Sequence, residues 1–382
     1  MNGRVRVRRA RHLVSYWQDG GIVTFNYATG GAAMGDALVT YLLSLCSSET
    51  TVANLRRQLG GMRPDEVDQL VGEMVRHGLL VRMDNCEDSR ERALDSWGAW
   101  NPQAGFFHFS TRNLPVPADH GAAERRLMEQ RQVSEVPAAL KRYSRAPIVD
   151  LPHPQRGSFA DVLLERRTWR SFAAEPVSAG EIGTLLGLAF GVQRIEQSSL
   201  GPVYLKTSPS SGARQPLEAY LLAVNVDGLL PGLYHYASDR HVLERIKRGA
   251  SPRTIARYIP GQWWYESAAA VFILTAVFAR TQWRYRFPRA YRSILLEAGH
   301  VCQTFCLVAT WLGLAPFCTG RFADSAVEKD VRADGISESF IYGAGVGRRP
   351  PGVTWAPLPL ARSLEHPLRR PKGSRKRLLP DE

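Results

Sequence analysis

The stretch YRSILLEAGHVCQTFCLVATWL, Tyr291 to Leu312, contains the strongest helical pattern in this 382-residue chain. Apolar residues recur along one stripe of the predicted helix, at Leu295, Ala298, Cys302, Phe305, Ala309 and Leu312. Further apolar residues, Ile294, Val301 and Val308, lie on another side. A helix that is apolar on most of its faces packs in the interior of a domain. The sequence therefore predicts a central helix, which Gly313 ends.

Strand patterns lie on both sides of this helix. LEAYLLAVNV (217–226) and SFIYGAGVG (339–347) are predicted strands, and AVFILTAVF (270–278) is a near-continuous apolar run. Such runs are typical of strands that are buried on both faces. Residues 156–358 are therefore predicted to form an α+β or α/β domain.

The N-terminal residues 1–95 are predicted to form a small winged-helix-like module. Two strand patterns flank the turn Asp19-Gly20, three helical patterns follow, and LLVRM (79–83) returns as a strand. The third helix begins Pro-Asp-Glu-Val-Asp at residue 64, which places acid where a DNA-recognition helix meets phosphates. We therefore expect peptide capture by this module and no nucleic-acid binding.

Two further segments complete the predicted organisation. Residues 96–155 are a connector rich in Pro, Arg and Gln, in which FFHFSTRN (106–113) is expected to be buried. Residues 359–382 form a basic tail that is predicted to be disordered and that carries part of the net charge of +13.

Cysteine usage and hydropathy predict a cytoplasmic protein without a membrane segment. The five cysteines show no disulfide spacing, and no run has the character of a signal peptide or of a spanning helix. Cys302 and Cys306 lie one helical turn apart near His300, but buried helical cysteines are common, and no metal site is expected.

Arginines are concentrated in three separate motifs of the main domain. These are RRTWRSF (166–172), TGRF (319–322) and GVGRR (345–349). Arginine forks bind phosphate in bidentate fashion, so converging arginines predict a phosphate site, although surface ion pairs would also explain any one motif. The loop TSPSSGARQP (207–216) offers amides and hydroxyls to a flat ligand with carbonyl acceptors. GAGVGRRPP (343–351) lacks the following helix of a dinucleotide-binding motif, so its glycines predict a strand in close contact with a neighbouring backbone.

Six stretches in this order resemble the nitroreductase-like flavoenzymes, and in particular the SagB-type dehydrogenase branch, which includes azoline oxidases of ribosomal peptide pathways. They are LLERRTWRSF, SPSSGARQPLEAY, PGLYHYASDRHVLE, WRYRFPRAYRSILLEAGHVCQ, WLGLAPFCTGRFAD and ESFIYGAGVG. The resemblance implies an FMN domain whose antiparallel-rich sheet and helices surround the central helix. It also implies a homodimer with FMN at the interface.

The resemblance further implies the residues that bind FMN. The phosphate and ribityl chain would be held by Arg166, Arg167, Thr168 and Arg170. The isoalloxazine ring would meet the second subunit's loop, at positions Pro209, Ser210, Ser211, Gly212 and Arg214. Gly320 and Arg321 would approach the phosphate end.

One position departs from the azoline oxidases, which carry a Lys-Tyr pair ahead of the central helix. Here the pair is Arg284-Tyr285. Because arginine stays protonated in proteins, Arg284 is excluded as a general base. Its charge would favour the tyrosinate form of Tyr285, which leaves Tyr285 as the proton acceptor. The alternative is that Arg284 is one more solvent-facing residue in an arginine-rich segment.

The sequence therefore predicts an FMN-dependent oxidoreductase that acts on azolines or a related C–N unit in a peptide. A cyclodehydratase is the expected partner. One alternative is an NAD(P)H-dependent nitro- or quinone reductase, or a flavin dehydrogenase acting on a small metabolite. The other is a peptide-binding protein without catalytic activity.

Overall fold

A computed structural model describes residues 2–84, 89–113, 157–198 and 201–353, with five isolated positions between 125 and 133. Most of the predicted connector 96–155 and the whole predicted tail 359–382 lie outside the described residues.

The N-terminal module contains the predicted hairpin, three helices and closing strand. Its elements are β1 Arg6–Arg9, β2 Leu13–Gln18, β3 Gly21–Asn26, β4 Gly31–Gly35, α1 Ala37–Leu45, β5 Thr50–Thr51, α2 Val52–Gln58, α3 Pro64–Arg76 and β6 Leu80–Arg82. They form two three-stranded sheets, ordered β5-β1-β6 and β2-β3-β4. The β2–β3 turn uses positive φ at Asp19 and Gly20, as a tight hairpin requires. The three helices enclose a separate apolar core that includes Val7, Leu42 and Leu55.

A short helical segment links this module to the main domain. It consists of α4 Ser89–Leu94, a 3₁₀ turn Asp95–Trp100 and α5 Gln103–Ser110. Trp97 and Trp100 are each 1% exposed and belong to the same core as the central helix. In the stretch predicted to be buried, His108 is buried, whereas Phe107 is 53% exposed. The segment therefore packs on the main domain through its tryptophans as much as through its phenylalanines.

The main domain is built on an antiparallel sheet of six strands. Its elements in the described range 157–353 are α6 Ser158–Glu165, β7 Val177–Ser178, α7 Ala179–Ala189, β8 Arg194–Ser198, β9 Gly201–Leu205, β10 Leu217–Ala223, β11 Val226–Asp227, β12 Gly232–Ala237, β13 Val242–Arg248, α8 Pro252–Tyr258, β14 Ala270–Val277, α9 Phe278–Gln282, α10 Tyr291–Trp311, β15 Leu314–Thr319, α11 Asp324–Val331 and β16 Glu338–Arg348. The strand order is β13-β12-β10-β14-β16-β15, and every pairing is antiparallel. The predicted strands 217–226, 270–278 and 339–347 become β10, β14 and β16.

The central helix is α10, and it packs on this sheet as predicted. Ile294, Val301 and Phe305 are buried, but Leu295 is 38% exposed, so assigning Leu295 to the buried stripe was wrong. Leu295 nevertheless lies seven residues before the buried Cys302, on the same face of the helix, whereas Leu296 is 63% exposed on another side. Residues 288–311 are long and apolar enough to cross a membrane, but half of the apolar window is buried, as in the core helix of a folded domain.

Candidate functional site

The glycines of β16 hold two of the arginine motifs in place. A β-carbon at Gly347 would lie 2.6 Å from the ring of Phe172, the last residue of RRTWRSF. A β-carbon at Gly343 would lie 2.2 Å from the ring of Phe322, the last residue of TGRF. Because positions 343 and 347 are four residues apart in one strand, they lie about 13 Å apart along it and direct their neighbours to one face of the sheet. The glycines pack closely, but their nearest neighbours are mainly aromatic rings, so the prediction of a neighbouring backbone was wrong.

The arginines beside these rings lie along edge strand β15. The backbone N–H of Trp169 donates to the carbonyl of Pro316 in β15 at 3.0 Å. The charge of Arg166 acts on the thiol of Cys318, in the same strand. Arg321 follows the end of β15 directly. The structure thus brings the first and second predicted arginine motifs to one edge of the sheet.

Several of these guanidinium groups have donors without an acceptor in the part of the chain that the structure describes. Within the described residues, no carboxylate pairs with Arg166, Arg170 or Arg321. The Nε of Arg321 is buried and has no hydrogen-bond partner in that part of the chain. Arg167 differs, because it donates to the carbonyls of Leu164 and Arg166 at 2.7 and 2.8 Å. Of the third motif, Arg348 pairs with Glu181 and is not available to a ligand. Unsatisfied forks beside one strand suit an anion such as a phosphate.

The loop 207–214 meets the predicted catalytic pair. Gly212 has a φ of +60°, and a β-carbon there would lie 2.7 Å from Tyr285 Oη and 2.8 Å from Arg284 Cδ. The Arg284 guanidinium lies 5.7 Å from the centroid of the Tyr285 ring. Arg214 stacks on Trp283 at 4.8 Å and donates from Nε to the carbonyl of Arg280 at 3.1 Å. Pro209 and Ser211 are exposed in this loop, and Thr168 is exposed beside the arginines.

The 3₁₀ turn 95–100 holds the segment that carries this pair. Trp100 Nε1 donates to the carbonyl of Tyr285 at 3.0 Å, and Gln282 donates to the carbonyl of Trp97 at 3.1 Å. His108 hydrogen-bonds the hydroxyl of Tyr291 at 2.7 Å, and burial lowers the pKa of this histidine to about 3. A neutral, aromatic support therefore fixes the backbone at Tyr285. Sequence analysis missed Trp97 and Trp100, whose partners lie far away along the chain.

The loop 207–214 and the arginine motifs contact different sides of α10. Ser208 hydrogen-bonds Thr304 at 3.0 Å, and Glu297 lies seven residues earlier on the same face of the helix. Cys306, whose sulfur lies 3.4 Å from that of Cys318, is about half a turn around the helix from Glu297.

Two titratable residues lie behind the loop and were also missed. Glu297 is 4% exposed, and burial raises its pKa to about 7 against the opposing effects of Ser210 and Lys206. Burial lowers the pKa of Lys206. The sequence feature that could have identified Glu297 is its position inside the apolar pattern LLEAGH. Periodicity alone assigns such a charged residue to the solvent side of the helix.

The residues present fit the FMN that the resemblance implies. The guanidinium groups of Arg166 and Arg170, which have no carboxylate partner among the described residues, and the Nε of Arg321, which has no hydrogen-bond partner there, suit a phosphate. The loop around Ser210 and Gly212 supplies amides and hydroxyls, the donors that a flavin ring with carbonyl acceptors requires. The donor chemistry therefore matches both ends of the cofactor.

Comparison with known proteins identifies the family. The nitroreductase family model matches residues 163–348. The nitroreductase-family protein MJ1384 of Methanocaldococcus jannaschii is 33% identical over 201 residues, which cover 53% of this chain and 96% of that protein. The chain therefore belongs to the nitroreductase family, as predicted, and is an oxidoreductase of that family with its α+β fold.

Two bacterial relatives carry names from natural-product systems. The trifolitoxin operon protein TfxC of Rhizobium leguminosarum bv. trifolii is 25% identical over 290 residues, 71% of this chain and 79% of TfxC. The microcin B17-processing protein McbC of Escherichia coli is 30% identical over 132 residues, 33% of this chain and 48% of McbC. The match to McbC thus spans about half of that protein. These relatives support the predicted SagB-type branch.

Proposed function

We propose that this oxidoreductase uses FMN to oxidise azoline rings, or a related C–N unit, in a ribosomally made peptide. The observation that carries the proposal is the contact of Gly212 with Tyr285 and Arg284. This contact joins the loop expected to meet the flavin ring to the only pair expected to handle a proton. The names of the microcin B17 and trifolitoxin relatives support a role in modifying a peptide product.

FMN would be held at its two ends by the groups described above. Arg166, Arg170 and Arg321 would bind the phosphate, and the 207–214 loop would bind the ring. When bound, FMN would supply the two-electron acceptor that takes a hydride from the substrate. The protein supplies position and charge for that transfer.

Tyr285 is the proposed proton acceptor. Its hydroxyl lies at the open edge of the loop, beside Gly212. The substrate carbon next to the imine-like nitrogen would give its proton to Tyr285 Oη, while the ring loses a hydride. The sum is loss of one proton and one hydride, which converts an azoline to the aromatic azole. Arg284 stays protonated and would stabilise the tyrosinate form of Tyr285, which becomes neutral when it accepts the proton.

A homodimer would complete the site. The loop contacts one side of α10, and strand β15, which lies beside the arginines, contacts another, which supports a site formed by the loop of one protomer and the arginines of its partner. An exposed apolar strip lies between these two sides, and it includes Leu296 at 63% and Trp311 at 62% exposure. Phe159 and Leu163 on α6 are also exposed beside it. Such a strip is typical of a protein interface.

The N-terminal module is proposed to recognise the peptide. Strand β4 is an edge of the β2-β3-β4 sheet, and its Met34 is 59% exposed. On strand β2, Trp17 is 77% exposed. An edge strand with exposed apolar side chains suits a peptide that adds as a further strand. A cyclodehydratase that makes the azoline is the proposed partner, and the cytoplasm is the proposed location.

The test is mass spectrometry on a synthetic peptide that contains one thiazoline, incubated with the FMN-loaded protein in air. Loss of two hydrogens from the peptide is expected, with bleaching of the flavin under anaerobic conditions. The peptide with the corresponding reduced thiazolidine is the matched control. An unchanged thiazoline peptide together with unbleached flavin would refute azoline oxidation.

A nitroreductase activity is the second candidate, because MJ1384 is matched over 96% of its length. It predicts rapid NAD(P)H oxidation with a nitroaromatic acceptor. Fast NAD(P)H turnover with no change in the thiazoline peptide would favour this reaction over the first.

A further inference from the structure

A cavity lined by residues of strands β9, β10, β12 and β13 lies beside the loop 207–214. Its volume is about 490 Å³, which is within the range of pockets that hold small ligands. Ala213 and Arg214 line it, and they directly follow Gly212, which contacts Tyr285. A substrate group in this cavity would therefore be one loop residue away from the contact with the proposed proton acceptor.

One wall of the cavity is a row of paired charges. His235 on β12 hydrogen-bonds Glu244 of β13 through Nδ1 at 2.9 Å and Glu218 of β10 through Nε2 at 3.2 Å. Arg240 forms an ion pair with Glu244, and Arg280 forms one with Glu218. Each carboxylate of the row is therefore shared between an arginine and His235.

Two cations of the cavity stand outside this row. Neither Lys206 nor Arg214 has a carboxylate within ion-pair distance in the part of the chain that the structure describes. Arg214 donates from Nε to the carbonyl of Arg280 at 3.1 Å and stacks on Trp283, which leaves its Nη groups without an acceptor among the described residues. Lys206 is half-buried where it follows β9. An ammonium and a guanidinium on one cavity suit a carboxylate, because both donate charge-assisted hydrogen bonds to it.

The backbone between this cavity and Tyr285 is held in an unusual conformation. Ala213 and Gln215 have positive φ values of 53° and 47°, which are uncommon for residues other than glycine. Gln215 donates its backbone N–H to Ser210 Oγ and its side-chain Nε2–H to the carbonyl of Tyr204, both at 2.9 Å. Such a conformation persists only where the surrounding structure holds it, and these bonds supply that support. The loop side of the cavity is thus built before a ligand binds.

We propose that this cavity is a carboxylate subsite, in which Lys206 and Arg214 bind an acidic group of the substrate peptide. The inference rests on the proposed function, and it adds that the substrate carries a negative charge close to the ring that is oxidised. An Asp or Glu side chain and a free C-terminal carboxylate offer the same chemistry to the two cations. Lys206 is a specificity-determining residue, since it lies outside the groups proposed to bind FMN or to take the proton.

Pairs of peptides that differ only in charge test this subsite. Each synthetic peptide contains one thiazoline and, at one of the positions flanking the ring, either Glu or the isosteric Gln, with an amidated C terminus. Fluorescence anisotropy of the labelled peptides measures their affinity for the FMN-loaded full chain. At one flanking position or more, the Glu peptide is expected to bind the wild-type protein about tenfold more tightly than its Gln twin. A further pair without acidic side chains, with a free or an amidated C terminus, tests the terminal carboxylate as the source.

Lys206→Met removes the charge and keeps a side chain of similar shape. It is expected to lose most of the preference, because the Glu peptide binds more weakly and the Gln peptide binds as before. Lys206→Arg keeps a cation and should retain the preference. Lys329 lines a different cavity of the same domain, so Lys329→Met is the matched control and should bind both twins like the wild type. A merely structural role of Lys206 would weaken the binding of both twins alike, which this cycle of protein and ligand changes would show.

The outcomes separate this inference from the proposed function. Equal affinities within every pair, or a preference for Glu that persists in Lys206→Met, overturn the inference alone, since loss of two hydrogens from either twin tests the oxidation separately. A charge preference that depends on Lys206, in peptides that are never oxidised, supports the subsite and overturns the proposed function. A Lys206→Met protein that loses a preference for NADPH over NADH, and binds the peptides like the wild type, assigns the cavity to a nucleotide phosphate and overturns the carboxylate subsite.

Discussion

The two buried tryptophans of the linking segment offer a matched test of how Tyr285 is positioned. Trp100 Nε1 donates to the carbonyl of Tyr285, and Trp97 Nε1 donates to the carbonyl of Ile336, both at 3.0 Å. Each tryptophan is 1% exposed, and their rings pack edge to face with centroids 5.8 Å apart. Substitution of either one by Phe therefore removes one hydrogen bond and similar volume from the same core.

The two substitutions should cost similar stability. A buried carbonyl left without its donor costs about 1–3 kcal/mol. The smaller ring adds about 1 kcal/mol for incomplete packing. We therefore expect Trp97→Phe and Trp100→Phe each to lower the free energy of unfolding by about 2–4 kcal/mol, measured by urea denaturation of the full chain.

FMN affinity should separate them. Only Trp100→Phe frees the backbone of Tyr285, whose hydroxyl abuts Gly212 in the proposed flavin loop. If about 1 kcal/mol of the lost free energy destabilises the loop in its FMN-binding conformation, FMN binds about fivefold more weakly to Trp100→Phe. FMN affinity in Trp97→Phe stays at the wild-type value. Fluorescence quenching of FMN measures both, and equal affinities in the two variants would refute the positioning role of Trp100.

Four further outcomes are expected. The double variant Arg166→Ala, Arg170→Ala should lose FMN, because each lost charged hydrogen bond weakens binding by about 1.5–3 kcal/mol. Full retention of FMN after dialysis of this variant would contradict the phosphate site. Tyr285→Phe keeps FMN but slows flavin reduction by the thiazoline peptide about 10²–10⁴-fold in rapid mixing, and an unchanged rate removes it from the mechanism. Because the folded pKa of Glu297 is raised from 4.5 to about 7, stability falls by about 3 kcal/mol as pH rises through that window, and denaturation of Glu297→Gln should show no such fall. Leu296→Glu places a charge on the exposed strip of α10, so light scattering should show monomers that have also lost FMN.

The sequence predicted the sheet well where burial alone decides the pattern. Strand β14, Ala270–Val277, is buried along nearly its whole length, so its apolar run needed no knowledge of its neighbours. The end of the central helix could also be predicted from a single residue, because Gly313 adopts a φ of +73°, which glycine favours. Resemblance of ordered motifs, rather than periodicity, led to the family and to the site residues.

The features of the fold and of the candidate site that the sequence did not predict depend largely on contacts between distant segments. The exposure of Leu295 could not be predicted from periodicity, because Leu295 lies seven residues before the buried Cys302 and therefore on the same face of α10. Trp100 and Tyr285 are 185 positions apart, and the segment around Trp100 has no helical or strand period. Glu297 was missed because a charged residue in an apolar helix is normally assigned to solvent.

The linking segment connects the N-terminal module, proposed to bind the peptide, with Tyr285, the proposed proton acceptor. Leu94, Trp97 and Trp100 pack in the same core as α10, and Tyr27 of the N-terminal module belongs to that core as well. The carbonyl of Tyr285 is held by the same segment that ends this module. Any shift of the module on binding a peptide would therefore be transmitted to the backbone of the proposed proton acceptor through one hydrogen bond. The module is thus joined to the site by packed side chains, and peptide binding and proton transfer are expected to respond together when that packing is altered.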